Sequence, residues 1–182
     1  MKAYKALLFA LALVMVITLF PAPVAEARGP KGQTIAEIVV ESAGPDRTGE
    51  FSTLLAAIEA ADPAVLATLS GRGQFTVFAP TNAAFEAAFA ELAALGITPA
   101  DVLSNQELLT NILLYHVARG RRYADDVLDS SRIRTMQRGF LFQDGGVLTD
   151  ALGREALIIV TDIEASNGVI HVIDAVVLPG LP

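Results

Sequence analysis

Apolar residues recur along this chain in two rhythms, helical first and strand-like later. Ile35, Ile38 and Val39 stand at helical spacing behind Thr34-x-x-Glu37, a pairing in which each side chain satisfies a backbone N–H at a helix start. Phe51, Leu54, Leu55 and Ile58 fall at i, i+3, i+4 and i+7, the stripe of a second helix. The run from Gly44 to Gly49 between them is a loop by composition, Asp62-Pro63 ends or restarts the second helix, and Ser70 to Gly73 is a turn. Phe75-Thr76-Val77-Phe78 is short, aromatic and β-branched, and predicts a strand that Pro80 stops. Thr81 can cap a helix whose inner face carries Phe85, Phe89 and Leu92, with Gly96 suited to its far end. Thr98-Pro99-Ala100-Asp101 opens a short helix, and Ser104 with Glu107 reads as another capping pair before Leu108, Leu109, Ile112 and Leu113.

The second half of the chain changes period. Strands are expected over 132–137, 140–143, 147–149, 156–162 and 169–177, separated by turn signals at Asp144-Gly145-Gly146, Leu152-Gly153-Arg154 and Ser166-Asn167-Gly168. Asn167 and Gly168 fit such a turn because both tolerate positive φ. Helices early and antiparallel strands late predict an α+β fold, not alternating βαβ units.

The first residues follow neither rhythm. Lys2 and Lys5 precede an uncharged apolar run from Ala6 to Phe20, and Ala25-x-Ala27 follows the prolines Pro21 and Pro23. A positive start, an apolar stretch and a small-x-small site compose a secretory signal. The run is short of the ~20 apolar residues that span a bilayer. The expected organisation is a signal peptide at 1–27, a lead-in at 28–33, one domain at 34–179 and a tail at 180–182. No stable membrane insertion is expected after cleavage, and the destination is extracellular or periplasmic. The chain has 182 residues, 53% of them hydrophobic and 18% charged, a net charge of −7 and no cysteine. It can therefore fill a core and must do so without disulfides. Its acidity disfavours nucleic acid and anionic lipid, which are bound largely through Lys and Arg.

Three segments in order carry a resemblance. They are Phe75-Thr76-Val77-Phe78-Ala79-Pro80-Thr81-Asn82-Ala83-Ala84-Phe85, then Leu113-Leu114-Tyr115-His116-Val117, then the run from Asn167 to Pro179. Together they resemble the two boxes and central Tyr-His motif of the fasciclin (FAS1) domain family, as a secreted, bacterial-type, single-domain member. The resemblance implies a β-wedge or sandwich of about seven strands with several helices packed against it. It implies an extracellular module associated with cell adhesion and matrix or surface contacts. It also suggests Asn82 or Thr81 as the partner of His116. Ala118-Arg119-Gly120 departs from the valine-proline-glycine that many relatives carry there, which loosens a turn and adds a charge.

The motif residues have direct physical readings. Thr81 and Asn82 sit where a side-chain oxygen caps a helix, a contribution of about 1 kcal/mol. Phe75, Phe78, Phe85 and Phe89 read as core. His116 follows an apolar run and is expected to be a partly buried imidazole satisfied by neighbouring polar groups; a metal ligand or general base is the functional alternative. His171 shares a strand face with Val169 and Ile173 and reads as structural or surface. Tyr115 suits either core packing or partner contact, and Arg119 is a second candidate contact. Asp125, Asp126 and Asp129 read as a solvated helix start, lacking the spacing of a calcium loop. The sequence carries no G-x-S-x-G, H-E-x-x-H or P-loop motif, so no catalytic, metal or cofactor-binding residue is assigned and no cofactor is expected. The expected function is a secreted, non-enzymatic interaction module. Its partner would be a protein, a glycan, a surface or matrix component, or its own copy. A small-ligand carrier with a pocket between wedge and helices is the alternative, ahead of a hydrolase.

Overall fold

A computed structural model describes residues 32–94, 96 and 98–180. The expected signal peptide at 1–27 lies outside the described residues, as do 28–31 and the last two residues of the tail. Three helices open the described chain: α1 (Ile35–Ala43), α2 (Ser52–Ala60) and α3 (Pro63–Ser70). The Thr34–Glu37 box caps α1, and Asp62 accepts from Ala64 N at 2.8 Å to start α3 with Pro63 in its first turn. Strand β1 (Phe75–Pro80) follows, then α4 (Asn82–Ala94), α5 (Pro99–Ser104) and α6 (Gln106–Tyr115). The Thr98–Asp101 box caps α5 as expected. Ser104 does not begin α6: its hydroxyl closes the last turn of α5 onto Asp101 O, and Asn105 takes the cap by accepting from Leu108 N at 3.1 Å. Asparagine one residue later offers the same oxygen at the better position.

The rest of the chain is β2 (Val117–Arg119), α7 (Ala124–Leu128), β3 (Arg132–Arg134), β4 (Phe140–Asp144), β5 (Val147–Thr149), β6 (Glu155–Ala165) and β7 (Gly168–Ile173). Two strands are shorter than the sequence predicts. β3 ends at Arg134 because Thr135 turns away to bridge Ala118. β7 ends at Ile173, where Asp174 instead holds Leu157 N at 2.7 Å.

The seven strands form one sheet in the order β2-β1-β7-β6-β5-β4-β3. Neighbours are antiparallel except β1 and β7, which run parallel from Phe75↔Gly168 to Pro80↔Ile173. The Ala118–Thr135 bridge and a 2.7 Å bond from Met136 N to Val117 O bring the outermost strands together, so the sheet curls almost into a barrel. Its inside is a core of Phe78, Tyr115, Ile133, Leu141, Leu148 and Ile173, each fully buried. The opposite face of β1 and β7 presents Val77, Ala79, Ile170 and Val172 to a second core, supplied by Ile35 and Val39 of α1, Leu54 and Ile58 of α2, Val65 and Leu69 of α3, and Leu109 and Leu113 of α6. At about 1.5–3 kcal/mol for each large apolar side chain fully buried, these two layers hold the fold without disulfides. β7 is buried along its whole length because it lies between them.

Candidate functional site

The motif residues sit at joints between elements. Thr81 Oγ1 accepts from Ala84 N at 3.1 Å and caps α4, as expected. Asn82 reaches across to a different helix. Its Oδ1 accepts from Thr53 N at 3.1 Å and its Nδ2 donates to Gly49 O at 2.9 Å, supplying the cap that Phe51 cannot give α2. Glu50 returns the arrangement by accepting from Asn82 N at 3.0 Å. Asn167 does the same between α1 and α3: Oδ1 accepts from Ile35 N at 2.8 Å, and Nδ2 donates to Leu69 O at 2.7 Å and Gly71 O at 3.0 Å. Neither Asn167 nor Gly168 has positive φ. The turn instead needs glycine for room, since a Cβ on Gly168 would lie 2.1 Å from Phe75 O.

His116 caps α6, 3% exposed. Its partners are backbone, not Asn82 or Thr81 as the resemblance suggested: those two are occupied at the α2 and α4 starts. Nδ1 lies 2.8 Å from Ile112 O and Nε2 accepts from Val177 N at 3.2 Å, so the ring is a neutral Nδ1–H tautomer. His171 is fully buried, stacked on Phe78 with ring centroids 5.7 Å apart. Its Nε2 lies 2.9 Å from Arg122 O and its Nδ1 accepts from Asp162 N at 3.3 Å. All four ring nitrogens are therefore committed to backbone, which leaves none to bind a metal or move a proton. Among the described residues no group of three or more His, Asp or Glu side chains gathers at metal-binding distance.

The environment of His116 makes a testable pH dependence. Burial pushes its pKa down from 6.5 to about 4; the Ile112 carbonyl opposes this, the Arg154 charge adds to it and the Asp150 charge opposes it. Between those values the unfolded chain holds the proton and the folded one does not. The stabilisation is thus complete above pH 6.5 and is lost as pH falls toward 4, about 3 kcal/mol in all. Chemical denaturation of wild type and His116→Ala across this range should show their stability difference shrinking as the pH falls. Carboxylates away from the ring act equally on both proteins and cancel, whereas Asp150, whose charge reaches His116, does not. A difference that stays constant would show that the folded imidazole takes up its proton as readily as the unfolded one.

Tyr115 is no surface contact. It is fully buried, its hydroxyl donating to Phe140 O at 2.6 Å and accepting from Ala151 N at 3.1 Å, so it ties α6 to β4 and to the β5–β6 connection. Arg119 is exposed at the end of β2, and Gly120 beside it takes φ +88°.

The exposed feature the sequence did not reveal is the outer face of β3 to β6. Ile133, Leu141, Leu148 and Ala156 alternate inward, so Arg132 and Arg134, Phe140 and Phe142, and Leu157 stand outward. Pairing sets Arg132 opposite Phe142 and Arg134 opposite Phe140, with Thr149 and Val147 of β5 carrying the face to Glu155 and Leu157. Phe142 is 52% exposed, Leu157 46% and Ile159 48%. The Arg132 guanidinium sits 5.2 Å above the Phe140 ring, a cation–π contact that holds both side chains extended over the sheet. Phe140-Leu141-Phe142 is apolar at every position, so the usual polar alternation that marks an outer face was missing.

Comparison with known proteins agrees with this architecture. The profile of the Fasciclin domain matches residues 49–179. Protein sll1483 of Synechocystis sp. is 41% identical over 146 residues, which is 79% of this chain and 74% of that protein. The transforming growth factor-beta-induced protein ig-h3 of Sus scrofa is 33% identical over 131 residues, 71% of this chain but 18% of that protein. A FAS1 domain pair from the insect cell adhesion molecule fasciclin I has the same fold, with a TM-score of 0.53 at 24% identity, over 66% of this chain and 42% of that one.

Proposed function

Because this chain belongs to the fasciclin family, we propose that it is an exported, non-enzymatic adhesion-type module that engages a protein, glycan or surface component through the outer face of β3 to β6. The observation that carries the reading is the outward pairing of Phe142 with Arg132 and of Phe140 with Arg134, with exposed Leu157 farther across the same face on β6. Aromatic and arginine side chains are the usual anchors of interfaces, and here they project from strands, which hold them rigidly. Export rests on the basic start, apolar run and Ala25-x-Ala27 of the sequence. A non-catalytic role is supported by the two histidines, whose ring nitrogens are all spent on backbone. Ligand capture in a folded domain of this kind needs buried area around a few anchors, not a reacting group.

The test is adsorption of the purified protein to envelope preparations of its producing cell and to immobilised polysaccharides. Phe142→Ser with Leu157→Ser removes two half-exposed anchors, together about 2 kcal/mol of interface burial, and should weaken adsorption about 30-fold. The melting midpoint should hardly move. Unchanged adsorption by a folded double variant would refute this choice of face. Loss of self-association by the same variant, read by sedimentation, would make the partner a second copy.

A further inference from the structure

A cavity of about 270 Å³ opens among the helices. It shares no residue with the outer sheet face. Its wall includes Ala57 of α2, Phe85, Ala88 and Phe89 of α4, Leu109 of α6 and Val176 of the C-terminal segment. Its origin is legible in α4, where Ala83, Ala84, Ala87, Ala88, Ala90, Ala93 and Ala94 give a helix with little side-chain volume. Phe85 is buried, but Phe89 and Leu92, the next residues of the predicted inner face, are only half-buried, and both line this space. Protein interiors hold few voids larger than a water molecule, and a wall this apolar gives water too few partners to fill it.

We infer that this cavity is a binding site for a compact, neutral lipophile, an aromatic or alicyclic molecule. Size sets the first limit. A dry apolar cavity of ~150 Å³ takes up benzene, so the space here suits a ligand of about ten carbon atoms on the same scale. Charge sets the second. Arg154 is the one cation among the described residues of the lining, and it is already spent: Nε on Asp150 Oδ2 at 2.9 Å, Nη2 on Val176 O at 2.7 Å, and Nη1 3.6 Å from Glu91. Glu91 also lines the cavity, at its exposed side. A ligand carboxylate would meet that carboxylate with no free cation among the described lining residues to pair it, and burying an unpaired charge is costly. Entry lies beside Leu152, 51% exposed on the β5–β6 connection.

The test uses naphthalene as the neutral probe and 2-naphthoate as its charged counterpart, on protein purified under native conditions. Naphthalene should bind saturably at one site and raise the melting midpoint by about 3 °C near tenfold excess over its Kd. 2-Naphthoate should bind at least tenfold more weakly. Methyl resonances of Val102, Leu109 and Val176 should shift on titration, which locates the site without any substitution. Ala88→Leu places three carbons in the cavity and should remove naphthalene binding while leaving adsorption through the sheet face intact. No saturable binding up to the solubility of naphthalene would overturn the inference. So would methyl shifts confined to residues elsewhere. Binding of 2-naphthoate as tight as naphthalene would overturn the neutral class.

Discussion

Asp150→Ala should lower the unfolding free energy by about 3 kcal/mol. The Asp150 side chain is fully buried, its two oxygens accept from four N–H groups of Leu152, Arg154 and Leu178, and Arg154 Nη2 also lies 2.9 Å from Oδ2. Oδ1 accepts from Leu152 N at 2.8 Å and Arg154 N at 2.9 Å, which folds the β5–β6 connection. Oδ2 accepts from Arg154 Nε and from Leu178 N, both at 2.9 Å, which pins the C-terminal segment against the sheet. Removing one member of a buried pair typically costs about 3–5 kcal/mol. Arg154 is 32% exposed and can recover some hydration, so the lower end applies. Urea unfolding monitored by circular dichroism gives the number. Asp150→Asn should recover part of it, since an amide oxygen can still accept from two backbone amides. A loss under about 1 kcal/mol for Asp150→Ala would show that the segment holds its place by apolar packing alone.

Gly168→Ala should be worse tolerated still. A Cβ there would stand 2.1 Å from Phe75 O and 2.8 Å from Ile35 Cδ1. The first is backbone at the start of the parallel β1–β7 ladder, so it can yield only by moving β1 and β7 apart. Overpacking of this kind costs about 1–3 kcal/mol in an adaptable core, and here the obstruction is a strand. The expected result is a loss above that range, enough to leave little folded protein, given that domains are stable by only about 5–15 kcal/mol. Gly153→Ala is the useful contrast: Gly153 has φ +78° with open space around its missing Cβ, so it should cost only about 1–2 kcal/mol of backbone strain. If Gly153→Ala proves the more damaging of the two, close approach is not what selects glycine at 168.

These two positions mark where the sequence stopped being readable. The caps at Thr34–Glu37 and Thr98–Asp101 could be read because both partners lie within three residues. The α+β order and the stripes of α1 and α2 were legible for the same reason: periodicity is local. Asn82 and Asn167 were recognisable as important, yet their partners are 29 and 132 residues away in the cases of Thr53 and Ile35. No local pattern indicates such a partner. Asp150 carries no local signal in the sequence, because its role depends on Leu178 arriving beside it 28 residues later. Tyr115 was ambiguous because its polar tip suits a surface equally well; burial beneath Gly139 and the Phe140 carbonyl decides it. The proposed binding face was not legible because Phe140 and Phe142 point outward and Leu141 inward, yet all three are apolar.

The two histidines are structural joints whose ring nitrogens are all bonded to backbone, and the proposed binding falls to the exterior. Long-range proton–nitrogen NMR of the imidazole rings measures this directly. The prediction is one fixed Nδ1–H tautomer for His116, with no protonation from pH 8 down to about 5, and one fixed Nε2–H tautomer for His171. A His116 ring that titrates near 6.5, or either ring exchanging between tautomers, would contradict it and return these residues to the list of candidates for chemistry.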